Sequence, residues 1–284
     1  MWVILWRVRF SIMQNVTGLL GLALMVFAVV FFVLSPSPGE VAADLVPRLP
    51  ADEAAPVYWY YAVALFGAAM TPYEVFFFSS GGIEDGWTAH DVRRMRINVF
   101  IGFPLGAIGS LAIMGTSAVA FAPSEIDVDS LSSLLIPVAE AGGQLAVAFA
   151  IVGVLAATVG ASLETALSTG YAVAQYSGWT WGAARRPRDA ARFHVVVLAA
   201  IVVGALVLMT GVDPVAVTEY SVVFSAIALP LTYLPILVVA GDRDYMGAHV
   251  NGWWANAVGT VFLGIVVVAS VAAIPLMIMT GAGR

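Results

Sequence analysis

The sequence predicts an all-α integral membrane protein with seven transmembrane helices. Three observations predict it. Hydrophobic residues make up 61% of the 284 positions and charged residues only 11%, where a soluble domain carries roughly a quarter charged. Seven apolar runs each reach the ~20 residues that a helix needs to cross a bilayer. The basic residues gather in alternate loops between those runs, the pattern of a chain threaded through a membrane.

The runs fall at about 14–34, 57–80, 97–121, 145–173, 193–211, 215–240 and 253–280 within a single membrane domain, 1–284. All twelve basic residues are arginine. Arg7 and Arg9 precede the first span, and Arg93, Arg94 and Arg96 separate the second from the third. Arg185, Arg186, Arg188 and Arg192 separate the fourth from the fifth, and Arg243 separates the sixth from the seventh. Only Arg48 and Arg284 fall on the other side, whose loops "SPSPGEVAADLVPRLPADEAAP" and "APSEIDVDS" are acidic. Cytoplasmic loops collect arginine. The expected protein is therefore multi-pass in the cell (plasma) membrane, with a cytoplasmic N-terminus and an extracytoplasmic C-terminus. "LSSLLIPVAE", between the third and fourth spans, is too short to cross and reads as a helix on the outer surface. Tryptophans at the span ends (Trp59, Trp87, Trp179, Trp181, Trp253, Trp254) read as the aromatic belt.

Composition excludes several classes. No cysteine is present, so no disulfide and no thiolate metal site can form. The opening "MWVILWRVRF" lacks the layout of a signal peptide. No glycine-rich phosphate loop follows a strand, and no nucleophile–histidine–acid set is visible, so the chain reads as no enzyme. His90, His194 and His249 lie at or beside cytoplasmic loops, away from span centres, which argues against a buried histidine metal site or proton relay. No cofactor and no nucleic-acid partner is expected; the lipid bilayer is the expected surrounding.

The second span, "YYAVALFGAAMTPYEVFFFSSGG", sets a proline and a carboxylate inside an apolar run. Proline lacks a backbone N–H and clashes with the carbonyl four residues earlier. One reading is a kink repaired by neighbouring helices, with Glu74 facing a cavity or a polar neighbour. The other is a broken helix at about 68–74, whose freed carbonyls coordinate a cation at the membrane midplane. Pro72 then frees the carbonyl of Ala68, Thr71 adds a hydroxyl and Glu74 a charge: three oxygen donors within seven residues. An intramembrane carboxylate points to function by default, which favours the second reading.

Glu164 is the second such carboxylate, in "VGVLAATVGASLETALSTGYA". Gly153, Ala157, Ala161, Thr165 and Thr169 recur every four residues beside it and read as a close-packing seam. Glu164 is either a neutral acid hydrogen-bonded across that seam, since burial raises a carboxyl pKa, or a stop on an ion or proton path. Tyr73, Thr165 and Ser168 would share the path. Glu219, near Asp213, reads as part of a solvated helix start.

At these residues the sequence resembles the Nramp family of divalent-metal transporters. "LFGAAMTPYEVFFFSS" is similar to the family's sixth helix. Ala68 takes the position of the carbonyl-donor alanine, Thr71 that of the metal-binding methionine, and Pro72 that of the proline. Tyr73 and Phe78 take the two histidine positions, and Glu74 follows the first. "VTGLLGLALMVFAVVFF" and its following loop resemble the fifth helix. Arg243, Met246, Gly247 and Asn251 match an R-x-x-M-G-x-x-x-N segment before the eleventh. The resemblance implies part of a LeuT-like inverted-repeat transporter fold, with the seven spans as helices five to eleven. It implies the same topology as the arginine distribution.

Two departures shape the expected function. The family's first four helices have no counterpart here, so the chain is expected to be a fragment, or a subunit whose missing helices come from another chain. Methionine and both histidines are replaced. A thioether favours soft cations, whereas threonine and glutamate oxygens suit Mg²⁺, Ca²⁺ or Mn²⁺. The resemblance therefore implies inward transport of a hard divalent cation, Mg²⁺ or Mn²⁺, by a secondary transporter. Symport with protons is a family trait from which the two exchanged imidazoles are missing. The alternatives are an amino-acid transporter of the same superfamily, or a truncated remnant or membrane scaffold that transports nothing.

Overall fold

A computed structural model describes residues 10–44, 46–49, 54–121 and 131–281. The acidic loop 122–130, the arginines before the first span and Arg284 lie outside the described residues. Every regular element among those described is helical. In chain order, α1 (Phe10–Gly21) runs through a tighter turn into α2 (Val26–Val33), and α3 (Pro38–Asp44) follows. α4 (Ala55–Ala69) and α5 (Pro72–Glu84) are two halves of the second span. A short α6 (Val92–Ile97) continues through one π-helical turn, Asn98–Gly102, into α7 (Phe103–Phe121). α8 (Leu135–Tyr176), α9 (Ala191–Met209), α10 (Pro214–Gly241), α11 (Arg243–Met246) and α12 (Trp253–Met279) complete the chain. Among the described residues, seven helical stretches are long and apolar enough to cross a membrane.

The helices form two compact units. The first comprises residues 1–47 and 76–205. In it, Phe27, Val30, Ala112, Val138, Ala146 and Ala150 bury one core between α2, α7 and α8. The buried Thr116 hydroxyl donates to the Phe27 carbonyl at 3.0 Å, joining α7 to α2. A second core joins α5 to α8 and α9 through Phe77, Leu163, Leu167, Tyr171, Phe193 and Val197. α8 is interrupted at Gly143, where φ is 65°, a left-handed conformation that glycine adopts without steric cost. The segment "LSSLLIPVAE" is thus a helix set apart from the span after it, with Val138 buried against α2.

The packing seam of α8 differs from the one expected. Gly153 is buried, but Ala157, Ala161, Thr165 and Thr169 are exposed within the unit. The buried line instead runs Gly153, Ala156, Gly160, Leu163, Leu167 and Gly170. Four residues turn an α-helix by about 400°, so a strict four-residue repeat drifts around it. Alternating three- and four-residue steps stay on one face. A β-carbon on Gly153 would lie 2.7 Å from the Leu24 nitrogen. The off-seam hydroxyls bond within their own helix, Thr165 to Ala161 and Thr169 to Thr165, each at 2.8 Å.

The second unit comprises residues 48–75 and 206–284. α4, α10 and α12 share a core of Tyr60, Val63, Ala64, Val223, Ala226 and Ala273. A β-carbon on Gly67 would lie 2.3 Å from the Val222 carbonyl oxygen, so α4 and α10 touch backbone to backbone there. Pro230 and Pro235 sit inside α10. Next to the carbonyl that Pro230 leaves without its helical donor, the Ser270 hydroxyl of α12 donates to Ile227 at 3.0 Å. Asp213 caps α10, accepting from Val215 and Ala216 nitrogens at 3.0 and 3.4 Å. Glu219 departs from the solvated reading: it is half-buried and close enough to feel the Tyr60 phenol. One turn of helix carries it past the cap and onto the face that packs against α4.

Candidate functional site

α4 ends at Ala69, and Met70 takes φ −141° and ψ 81°, outside helical space. Thr71 belongs to neither helix, and Pro72 opens α5. Proline suits a first helical position because its missing N–H has no partner to lose there. The same absence leaves the Ala68 carbonyl without its i+4 donor. The second span is therefore two helices, not one kinked helix.

The polar groups at this break sit together in the second unit. Thr71 is 8% exposed, and its hydroxyl is one of three buried side-chain polar atoms without a hydrogen-bond partner among the described residues. Such a group costs about 1–3 kcal/mol. Glu74 is half-buried in the first turn of α5, where the helix dipole favours a negative charge. The run Thr-Pro-Tyr-Glu has the spacing of a capping box, in which the threonine hydroxyl accepts from the glutamate N–H. That bond is not made: the Glu74 N–H goes to the Thr71 carbonyl at 3.2 Å. The Glu74 carboxyl lies beside the hydroxyl without hydrogen-bond geometry. The break thus offers a freed carbonyl at Ala68, an unengaged hydroxyl and a carboxylate.

Of the other expected site residues, only Tyr73 adjoins the break. Tyr73 is half-buried and holds polar or ring contacts of its own. Phe78 packs edge-on against Trp87 with ring centres 5.2 Å apart. Glu164, Thr165 and Ser168 lie on α8 in the first unit; Glu164 is half-buried, Thr165 exposed and Ser168 buried. Among the described residues no three His, Asp or Glu side chains converge. His194 is buried at the start of α9, with Nε2 at 3.0 Å from the Arg185 carbonyl oxygen.

One carboxylate went unnoticed in the sequence. Glu84, at the end of α5, accepts from the Tyr171 hydroxyl of α8 and from the Ala184 N–H at 2.8 Å. Gly182, at φ 136°, passes beside it. Ser80 adds a second tie from α5, accepting from the Gln175 amide at 2.8 Å. The far end of the broken span is thereby clamped to α8 and the loop after it. Burial, and then the charge of Glu84, push the neighbouring Asp85 carboxyl above its ordinary range. The only sequence signal for the clamp was an acid at the end of an apolar run, which reads equally as a loop residue.

A multi-pass helical membrane protein with one span broken around oxygen donors is the class this architecture defines. The family described as "Natural resistance-associated macrophage protein-like" matches residues 1–275. The chain belongs to the Nramp family. It is 26% identical over 258 residues to a protein named "Divalent metal cation transporter MntH" from Pectobacterium carotovorum, covering 87% of this chain and 58% of that protein. Proteins of the same name from Mycobacterium leprae and Deinococcus radiodurans are 23% and 24% identical. Those matches cover 89% and 82% of this chain, and 59% and 52% of the relatives. The chain thus spans little more than half the length of the curated relatives it matches.

Proposed function

We propose that this chain supplies part of the path of a secondary transporter that carries a hard divalent cation, Mg²⁺ or Mn²⁺, inward across the plasma membrane. Further helices, from the same gene or a separate chain, would complete it. The observation that carries this reading is the break between Ala69 and Pro72, with a buried, unpartnered Thr71 hydroxyl beside the Glu74 carboxyl. A hard cation would satisfy both at once and accept the Ala68 carbonyl as a third oxygen. The relatives' name, divalent metal cation transporter, supports the cargo class. Glu164, Thr165 and Ser168 are proposed to line an ion or proton path in the first unit.

Thermal unfolding of the completed transporter tests the cargo. Mg²⁺ or Mn²⁺ at a hundred times its dissociation constant should stabilise the protein by about 2.7 kcal/mol, and amino acids should not. Stabilisation by an amino acid and not by either metal would move the reading to the organic-substrate alternative.

A further inference from the structure

A second polar site in the second unit has no part in the proposed cation path. Where α10 ends and α12 begins, an open cleft of about 580 Å³ lies between the last turn of α10 and the first turns of α12. Leu237 and Val238 form its apolar wall; Asp242, Arg243, Asn256 and Thr260 form its polar end. Three groups there lack partners. One oxygen of Asp242 accepts from the Asp244 N–H at 2.8 Å to cap α11, which leaves the other open. Among the described residues Arg243 makes no ion pair. The Asn256 side-chain oxygen is buried and accepts nothing, although its amide rests against Gly241. Thr260 donates to the Asn256 carbonyl at 2.8 Å and holds the start of α12 in shape.

We propose that this cleft binds the headgroup of a phospholipid carrying a primary ammonium, such as phosphatidylethanolamine. The open Asp242 carboxylate oxygen calls for a positively charged donor, and a primary ammonium supplies three N–H groups. The Arg243 guanidinium matches a phosphate oxygen pair. A purely anionic headgroup would face Asp242 with like charge, and a quaternary ammonium has no N–H to give its free oxygen. The lipid form is favoured over the soluble zwitterion by position. The cleft closes the ends of two membrane-spanning helices, so it sits at a membrane–water boundary. Trp253 and Trp254, 71% and 75% exposed with ring centres 4.5 Å apart, flank it, as interfacial anchors do. Val238 continues the apolar wall along the exposed face of α10, where an acyl chain would lie.

Native mass spectrometry of the full purified chain tests this with phosphatidylethanolamine, phosphatidylcholine and phosphatidylglycerol of identical acyl chains, and with soluble O-phosphoethanolamine. Phosphatidylethanolamine should be retained about tenfold over the other two, the value of one charge-assisted hydrogen bond. Asp242→Asn keeps the cap on α11, because asparagine caps as well as aspartate. It should erase the preference over phosphatidylcholine while leaving helix content and elution unchanged. Arg243→Gln should lower retention of all three lipids. Equal retention of the three by the unaltered chain would overturn the proposal, as would a preference that survives both substitutions. O-phosphoethanolamine binding as tightly as the lipid would overturn the assignment to a lipid.

Discussion

At the scale of single residues, Thr71 separates a cation ligand from a structural hydroxyl. Its oxygen is buried and unpartnered, so Thr71→Val, which keeps the shape, should stabilise the metal-free protein by about 1 kcal/mol. The same substitution should abolish stabilisation by Mg²⁺ or Mn²⁺. Thermal melts with and without metal read both, and a Thr71→Val protein that is less stable without metal would show the hydroxyl bonded in the resting state. The residues of the break were legible in the sequence because proline and an intramembrane carboxylate are costly in hydrocarbon. Their missing capping bond was not legible, since Thr-Pro-Tyr-Glu has the spacing to make it. Glu84 was illegible for another reason: its partner Tyr171 is 87 positions away, and no local pattern encodes a pair that the fold brings together.

At the scale of elements, close approach governs. A β-carbon on Gly67 would strike the backbone of α10, whereas one on Gly264 would meet nothing within 4 Å. Gly67→Ala should therefore destabilise by about 1–3 kcal/mol. Gly264→Ala, in the interior of α12, should stabilise by up to about 1 kcal/mol. Chemical denaturation in detergent compares the two, and equal effects would contradict the packing of α4 on α10. Glu84→Ala should cost about 1–3 kcal/mol by removing the acceptor of the buried Tyr171 hydroxyl. Hydropathy made the seven helices legible, because every turn of a span must be apolar. The seam of α8 was misread, since small residues every four positions drift off one face and only the neighbouring helices fix which line is buried. A cavity of about 920 Å³ in the second unit, between α4 and α12, is lined from Trp59 to Leu276 almost wholly by apolar side chains. Its lining on α4 stops at Phe66, short of the break, so it lies apart from the oxygen donors.

For the whole molecule, orientation and transport are the claims at stake. The arginine distribution predicts that the loop 177–190 is cytoplasmic and the turn at 210–213 external. The chain has no cysteine, so one introduced thiol reports one position. Arg186→Cys should react with a membrane-impermeant maleimide only after the cells are opened, and Val212→Cys in intact cells; the reverse pattern would invert the topology. Family membership was legible in the sequence around Pro72 and from Arg243 to Asn251, and the match over residues 1–275 extends it to nearly the whole chain. Which cation passes was not legible, because ligand softness narrows the choice to hard cations without separating Mg²⁺ from Mn²⁺. On the proposed reading, the broken span carries a hard divalent cation on Glu74. Uptake of Mg²⁺ and Mn²⁺ by the completed transporter, compared with its Glu74→Gln form at equal membrane abundance, tests it most directly. Uptake should fall at least about tenfold, since glutamine keeps the shape and removes the charge. Uptake unchanged by that substitution would contradict it.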